Sequence, residues 1–279
     1  MPRNRRGALA KGLGQDFPIH ERAAIYPAPI AAAGLLLQLD YVAKQQFVTD
    51  LSVGDNGDVS DVPSFADLVD APDPPMDLLA LSIAQEFRDV DAGHVLSALD
   101  ALGAELAQGV AEVGGAPEDA ARVCSEVLGV RHGFRGDRED YDDPGNSMLD
   151  LVLERRRGLP ILLSVVYIEV GRRADVPIGG VGLPGHFVVG HFGADPPLLL
   201  DPFERGQLVT AVVADEFLRP WRAHEIAMRM LNNLVSSYQR RANLTAAIRA
   251  ASMRLSLPAE RSRTSTLQAE LLALQARLN

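Results

Sequence analysis

The chain has 279 residues and a net charge of −10 at pH 7; 47% apolar and 23% charged residues suffice for the core of one large or two small domains. Its single cysteine, Cys124, excludes an intramolecular disulfide framework and a thiolate zinc site, and fits a reducing cytoplasm. Ten Arg against three Glu give residues 219–279 about +7 and leave about −17 on residues 1–218, an acidic body that repels phosphate backbones and argues against nucleic acid as a partner.

Residues 1–75 lack a packing period, and Asp50–Asp77 spreads eight Asp among Gly, Pro and Ser, so residues 1–75 read as a flexible acidic leader outside the core, with at most a short helix near 31–47. Within it the apolar run Ala28–Leu39 is about a dozen residues, short of the roughly 20 that a membrane helix needs. No signal-peptide cleavage site follows the run, so neither a membrane nor a secreted setting is expected.

From residue 76 the pattern becomes helical. Leu78, Leu79, Leu81 and Ile83 open a helix to about Arg88, and Val95, Leu99, Leu102, Leu106, Val110 and Val113 recur at three- and four-residue spacing. A third helix is predicted from Pro117 to Leu128, stopped by Gly129, with Cys124 inside it. A charged, Gly-rich loop follows to about Asn146, unusually long for a compact domain. Ser147 and Asp150 have capping-box spacing for the next helix, Arg155–Arg157 suit its C-terminal dipole, and Gly158 reads as its stop. Pro160 then opens a helix that is apolar nearly all round, which places it in the centre of its domain.

After Pro177 the period shortens to that of strands: IGGVGL, HFVVGHF, PLLLDPF and GQLVT. Helices followed by short strands predict an α+β domain with an antiparallel sheet. Helices return near 212–218, 223–241, 243–256 and 259–278. The expected domains are therefore the leader 1–75, a body over 76–220 (helical part 76–174, sheet part 177–210), and C-terminal helices over 221–279. The basic C-terminal segment either docks on an acidic surface, including the protein's own, or is a solvated face.

One hairpin carries chemistry. If the GADPP turn sets a register in which paired residue numbers sum to 387, His186 lies opposite Asp201 on one sheet face; a one-residue slip would separate them. A carboxylate beside an imidazole fixes its tautomer, as a nucleophile's general base requires. The same pair also serves as a hydrogen-bonded anchor of the hairpin. His191, five residues on, faces the other way, and His20, His94, His132 and His224 have no ligand-like spacing, so no metal or other cofactor is expected.

The combination of NS, ERRRG-P, GVGLPGHF and DPF, running from about Asp77 to Tyr238, resembles the SirB-type branch of the transglutaminase-like superfamily. That resemblance implies a papain-like core in which a Cys at the start of a central helix, a His on one strand and an Asp on the next form an acyl-transfer triad. His186 matches the His and Asp201 the Asp, whereas the Cys position falls at Pro160 or Ile161, neither of which forms an acyl intermediate. The same motifs make Asn146, Arg157, Gly158, Pro160 and Gly185 candidate cleft residues. Members of the branch also lack the Cys and commonly continue into tetratricopeptide-like helices, which 221–279 resembles. The reading is a non-catalytic protein that binds a protein or ligand partner. Its alternatives are a hydrolase or acyltransferase using Ser164 or Cys124, and a small-ligand or metal binder.

Overall fold

The computed structural model describes residues 62–278. Among the described residues nine α-helices flank a small sheet: α1 (Phe65–Asp70), α2 (Met76–Gln85), α3 (Ala92–Val113), α4 (Pro117–Cys124), α5 (Leu149–Arg155) and α6 (Pro160–Arg173) come first, and α7 (Ala223–Arg240), α8 (Leu244–Arg254) and α9 (Arg261–Ala276) follow it. Between them β3 (Ile178–Leu183), β4 (His186–His191), β5 (Leu198–Asp201) and β6 (Gln207–Leu208) form an antiparallel sheet in sequence order, and the two-residue strands β1 (Arg135–Gly136) and β2 (Arg157–Gly158) pair in parallel. This is an α+β fold.

Helix α6 lies at the centre. Ile161, Leu162, Leu163, Val165, Val166 and Val170 are all buried, as its nearly continuous apolar surface requires, and it packs against α3, β3 and β4. Its far end is fixed by charge: Asp77 of α2 binds Arg172 and Arg173 (3.2 and 2.7 Å), Glu169 binds the same two guanidiniums (2.7 and 2.9 Å), and Arg173 reaches Asp100 of α3. Burial pushes the Asp77 carboxyl up, but Arg173 and Arg172 outweigh it and hold it below its ordinary value of 3.8. Glu169 is driven the other way by burial and by Asp77.

Several expectations are corrected. The packed chain starts before residue 76: α1, capped by Ser64, puts Phe65, Leu68 and Val69 into the main core, and His224 Nε2 lies 3.1 Å from the Val69 carbonyl. The rest of the expected leader, with the helix near 31–47 and His20, falls outside the described residues. Gly129 does not stop a helix; the chain continues as a wide π-helical turn over Ser125–Arg131, and Gly129 is needed because a Cβ there would meet the Arg205 carbonyl at 1.8 Å. Ser147 is not an N-cap. It lies in a 3-10 turn (Pro144–Ser147), buried and with its hydroxyl lacking a hydrogen bond among the described residues, while Met148 occupies the N-cap position of α5 without a side-chain cap and Asp150 pairs with Arg88. Nor does Gly158 stop α5, which ends at Arg155 with Arg156 left-handed (φ 58°).

The register of β4 with β5 is Val189 opposite Leu200 and His191 opposite Leu198, a sum of 389, two residues from the expected pairing. Pro196 and Pro197 have no N–H to give the ladder, so β5 cannot begin before Leu198. A shift of two preserves the faces.

The C-terminal helices share the main core through Leu231, Leu234, Ala250, Leu257, Leu267 and Leu274. Part of their positive charge is spent on the chain's own acidic loop: Arg240 pairs with Asp142 at 2.7 Å, and Arg241 with Asp140. No described helix is long and apolar enough to cross a membrane.

Candidate active-site cleft

The β3–β4 turn delivers His186. Pro184 and Gly185 form a two-residue loop in which Gly185 takes φ 73°, and Leu183 pairs with His186 at its base. The β4–β5 offset makes Asp201 a diagonal neighbour on the same face, so the distal nitrogen of the imidazole makes the bond: Nε2 to Oδ2 is 2.7 Å. The other carboxylate oxygen accepts from the Phe203 N–H at 2.9 Å, capping a 3-10 turn over Pro202–Glu204. With both oxygens engaged, Asp201 is fixed. Nε2 donates to it, which leaves Nδ1 as the basic nitrogen, without a partner among the described residues. His186 keeps 34% of its side chain exposed.

Around the pair stand residues that sequence spacing did not single out. The Phe203 ring is edge-on to His186 (6.5 Å between centroids), with Tyr141 6.2 Å beyond it and the Arg138 guanidinium 5.6 Å over its face. Gly136 admits Phe203, since a Cβ there would fall 2.3 Å from the ring. Arg229, on α7, donates to the His186 carbonyl at 3.2 Å and lies 5.4 Å over the Phe187 ring; its burial lowers its pKa. Only the DPF tripeptide hinted at Phe203; Arg229 is 43 residues from His186 and had no local signal.

The candidate cleft residues divide. Gly185 is in the exposed turn, Arg157 is half-buried with an ion pair to Glu139 (2.9 Å), and Pro160 is the first residue of α6. Asn146 and Gly158 are both buried; the Asn146 carbonyl accepts the Leu159 N–H at 3.0 Å, and its Nδ2 donates to the Asp140 carbonyl at 2.8 Å. The bond to Leu159 ties Asn146 to the residue just before α6.

At the start of α6, Pro160 and Ile161 carry no nucleophile, and Ile161 is 1% exposed. Ser164, one turn in, is fully buried and its Oγ makes no hydrogen bond among the described residues. Cys124 is buried at the end of α4, and desolvation pushes its thiol up to about 12, the environment of an inert packed thiol. Beside it, Tyr167 of α6 is also pushed up, by burial and then by Cys124 and Asp201.

Among the described residues no group of three or more His, Cys, Asp or Glu is placed to hold a metal ion. His191 is buried, accepts from the Gly193 N–H through Nδ1 (3.2 Å), and is kept neutral by desolvation; His132 binds Glu105 at 2.6 Å.

Comparison with known proteins agrees with this architecture. A UPF0162 protein of Xylella fastidiosa is 37% identical over 153 residues, 54% of each chain, and a UPF0162 protein of Pseudomonas aeruginosa is 35% identical over 131 residues, 45% of each. F-box only protein 21 of Mus musculus is 29% identical over 120 residues, 37% of this chain and 19% of its own. The chain spans about half the length of the first two UPF0162 relatives it matches. No solved structure matches. Residues 93–242, from α3 through the His186–Asp201 hairpin to the end of α7, match the transglutaminase-like superfamily, and the chain belongs to it.

Proposed function

We propose that this protein is a SirB-type, non-catalytic member of the superfamily that acts by binding, with the His186 cleft as one surface and the tetratricopeptide-like C-terminal helices as another. The observation that carries the reading is the start of α6. Where the resemblance puts the thiol, Pro160 and Ile161 stand, and the two remaining candidates are sequestered: Ser164 is fully buried and Cys124 has its thiol at about 12. Orientation without a nucleophile leaves a residual rate advantage of roughly 10³–10⁴, far short of amide turnover. A cytoplasmic setting suits the single unpaired cysteine, and the acidic body disfavours nucleic acid.

A second reading, a hydrolase or acyltransferase with another nucleophile, is favoured by one observation: Asp201 holds the part-exposed His186 through Nε2, as a general base would be held. A panel of amide, ester and glutamine substrates with wild type, His186→Ala, Ser164→Ala and Cys124→Ala separates the two. The binding reading expects no saturable turnover. Turnover abolished by His186→Ala and by one of the other two substitutions would overturn it and name the nucleophile.

A further inference from the structure

Phe203, with Arg135, Arg138, Arg157 and Arg205 and with Glu139 and Glu204, lines a cavity of about 290 Å³. We propose that this cavity is a subsite for the carboxylate side chain of an acidic peptide lying across the His186 cleft; the proposal rests on reading that cleft as a binding surface.

Four guanidiniums in one concavity repel each other, and in a chain of net charge −10 their collection there is not a general surface property. Only two have carboxylate partners: Arg138 pairs with Glu204, and Arg157 with Glu139 at 2.9 Å. Glu139 is 82% exposed, so it is a weak counter-ion that an incoming carboxylate can replace. Arg135 bonds only the Gly133 carbonyl, at 3.2 Å, and Arg205 makes no ion pair among the described residues. Two of the arginines that line the cavity thus have no carboxylate partner among the described residues, and a guanidinium fork suits bidentate capture of a carboxylate.

Arg205 also occupies a left-handed position (φ 59°) next to Gly206, where glycine would be free of strain. Phe203 lines the cavity and stands edge-on to His186, so it is the wall the two spaces share. An apolar ring beside the arginines suits the methylenes of a glutamate. The two resident carboxylates disfavour a phosphate dianion more than a singly charged group, which selects an acidic peptide over phosphate.

The test titrates three probes into the full chain by calorimetry at low ionic strength: an N-acetylated, C-amidated hexapeptide alternating Glu and Gly, its Gln counterpart, and inorganic phosphate. The Glu peptide is expected to bind about tenfold or more tighter than the Gln peptide. Arg135→Gln combined with Arg205→Gly is expected to weaken it about tenfold with an unchanged thermal midpoint, and Arg138→Gln, at a 65% exposed side chain, about threefold should the double variant fail to fold. Equal binding of the two peptides, unchanged affinity in the variants, or phosphate binding tighter than the Glu peptide would overturn the proposal. Catalytic turnover with these selectivities intact would overturn only the non-catalytic reading.

Discussion

The two halves of the cleft teach different things. The sheet half is fully specified: Asp201 uses one oxygen on His186 Nε2 and the other on the Phe203 N–H, and Arg229 braces the His186 carbonyl. The helix half begins with Pro160 and Ile161, and its polar side chains, Ser164 and Tyr167, are buried with no hydrogen bond among the described residues. A hydrogen-bonded pair holds its geometry through its own partners and the hairpin beneath it. A nucleophile is one side chain at one position, so its loss leaves the surrounding packing intact. On the proposed reading, the cleft keeps its shape without a nucleophile.

That contrast makes graded predictions. The largest effect lies at the far end of α6. Asp77→Ala leaves Arg172 and Arg173 buried with less counter-charge and should cost about 3–5 kcal/mol in denaturant unfolding. Because the folded-state pKa of Asp77 is depressed below 3.8, its contribution is complete above that value and is lost as pH falls through the folded pKa. Asp77→Asn should accordingly flatten the acid limb of the stability profile. Glu169, raised above its ordinary 4.5, works in the opposite sense: its contribution is present below 4.5 and is lost as pH rises through its folded value.

Next comes the start of the chain. Removing residues 1–71 takes Phe65, Leu68 and Val69 from the core and should cost a net of about 2–4 kcal/mol, whereas a chain starting at Val62 keeps them. Equal thermal midpoints for the two truncations would return α1 to the leader.

Within the cleft, Asp201→Asn should cost about 1 kcal/mol, discounted for the partial exposure of the pair. On the helix side, Ser164→Ala should change stability by under about 0.5 kcal/mol, since it removes a buried hydroxyl without a hydrogen-bond partner among the described residues. A large loss there, as big as that at Asp201, would mean that the helix half has partners of its own.

Much of this was legible in the sequence. Apolar spacing placed α2, α3 and α6, Pro160 marked the first residue of α6, and the strand runs matched β3 to β6 within a residue or two. The α1 helix was hidden because its apolar residues sit among Asp67, Asp70 and Asp73, and composition outweighed three core contacts. The β4–β5 register differs by two from the one that the GADPP turn suggests, because Pro196 and Pro197 have no N–H for the ladder and pairing starts at Leu198. Ser147 had the right spacing for a cap, but packing overrode local preference and turned it inward. The wall around His186 could not be read, because Tyr141, Phe203 and Arg229 come from three distant segments that only the tertiary fold joins.

The central claim, a shaped cleft without a nucleophile, is tested most directly by mass spectrometry of the intact wild-type protein after incubation with an activated aryl ester at neutral pH, followed by peptide mapping. The account predicts no stoichiometric acyl adduct, and Cys124 as unreactive to the ester as its thiol at about 12 requires. A stoichiometric adduct on Ser164 or Cys124 that disappears in His186→Ala would contradict it.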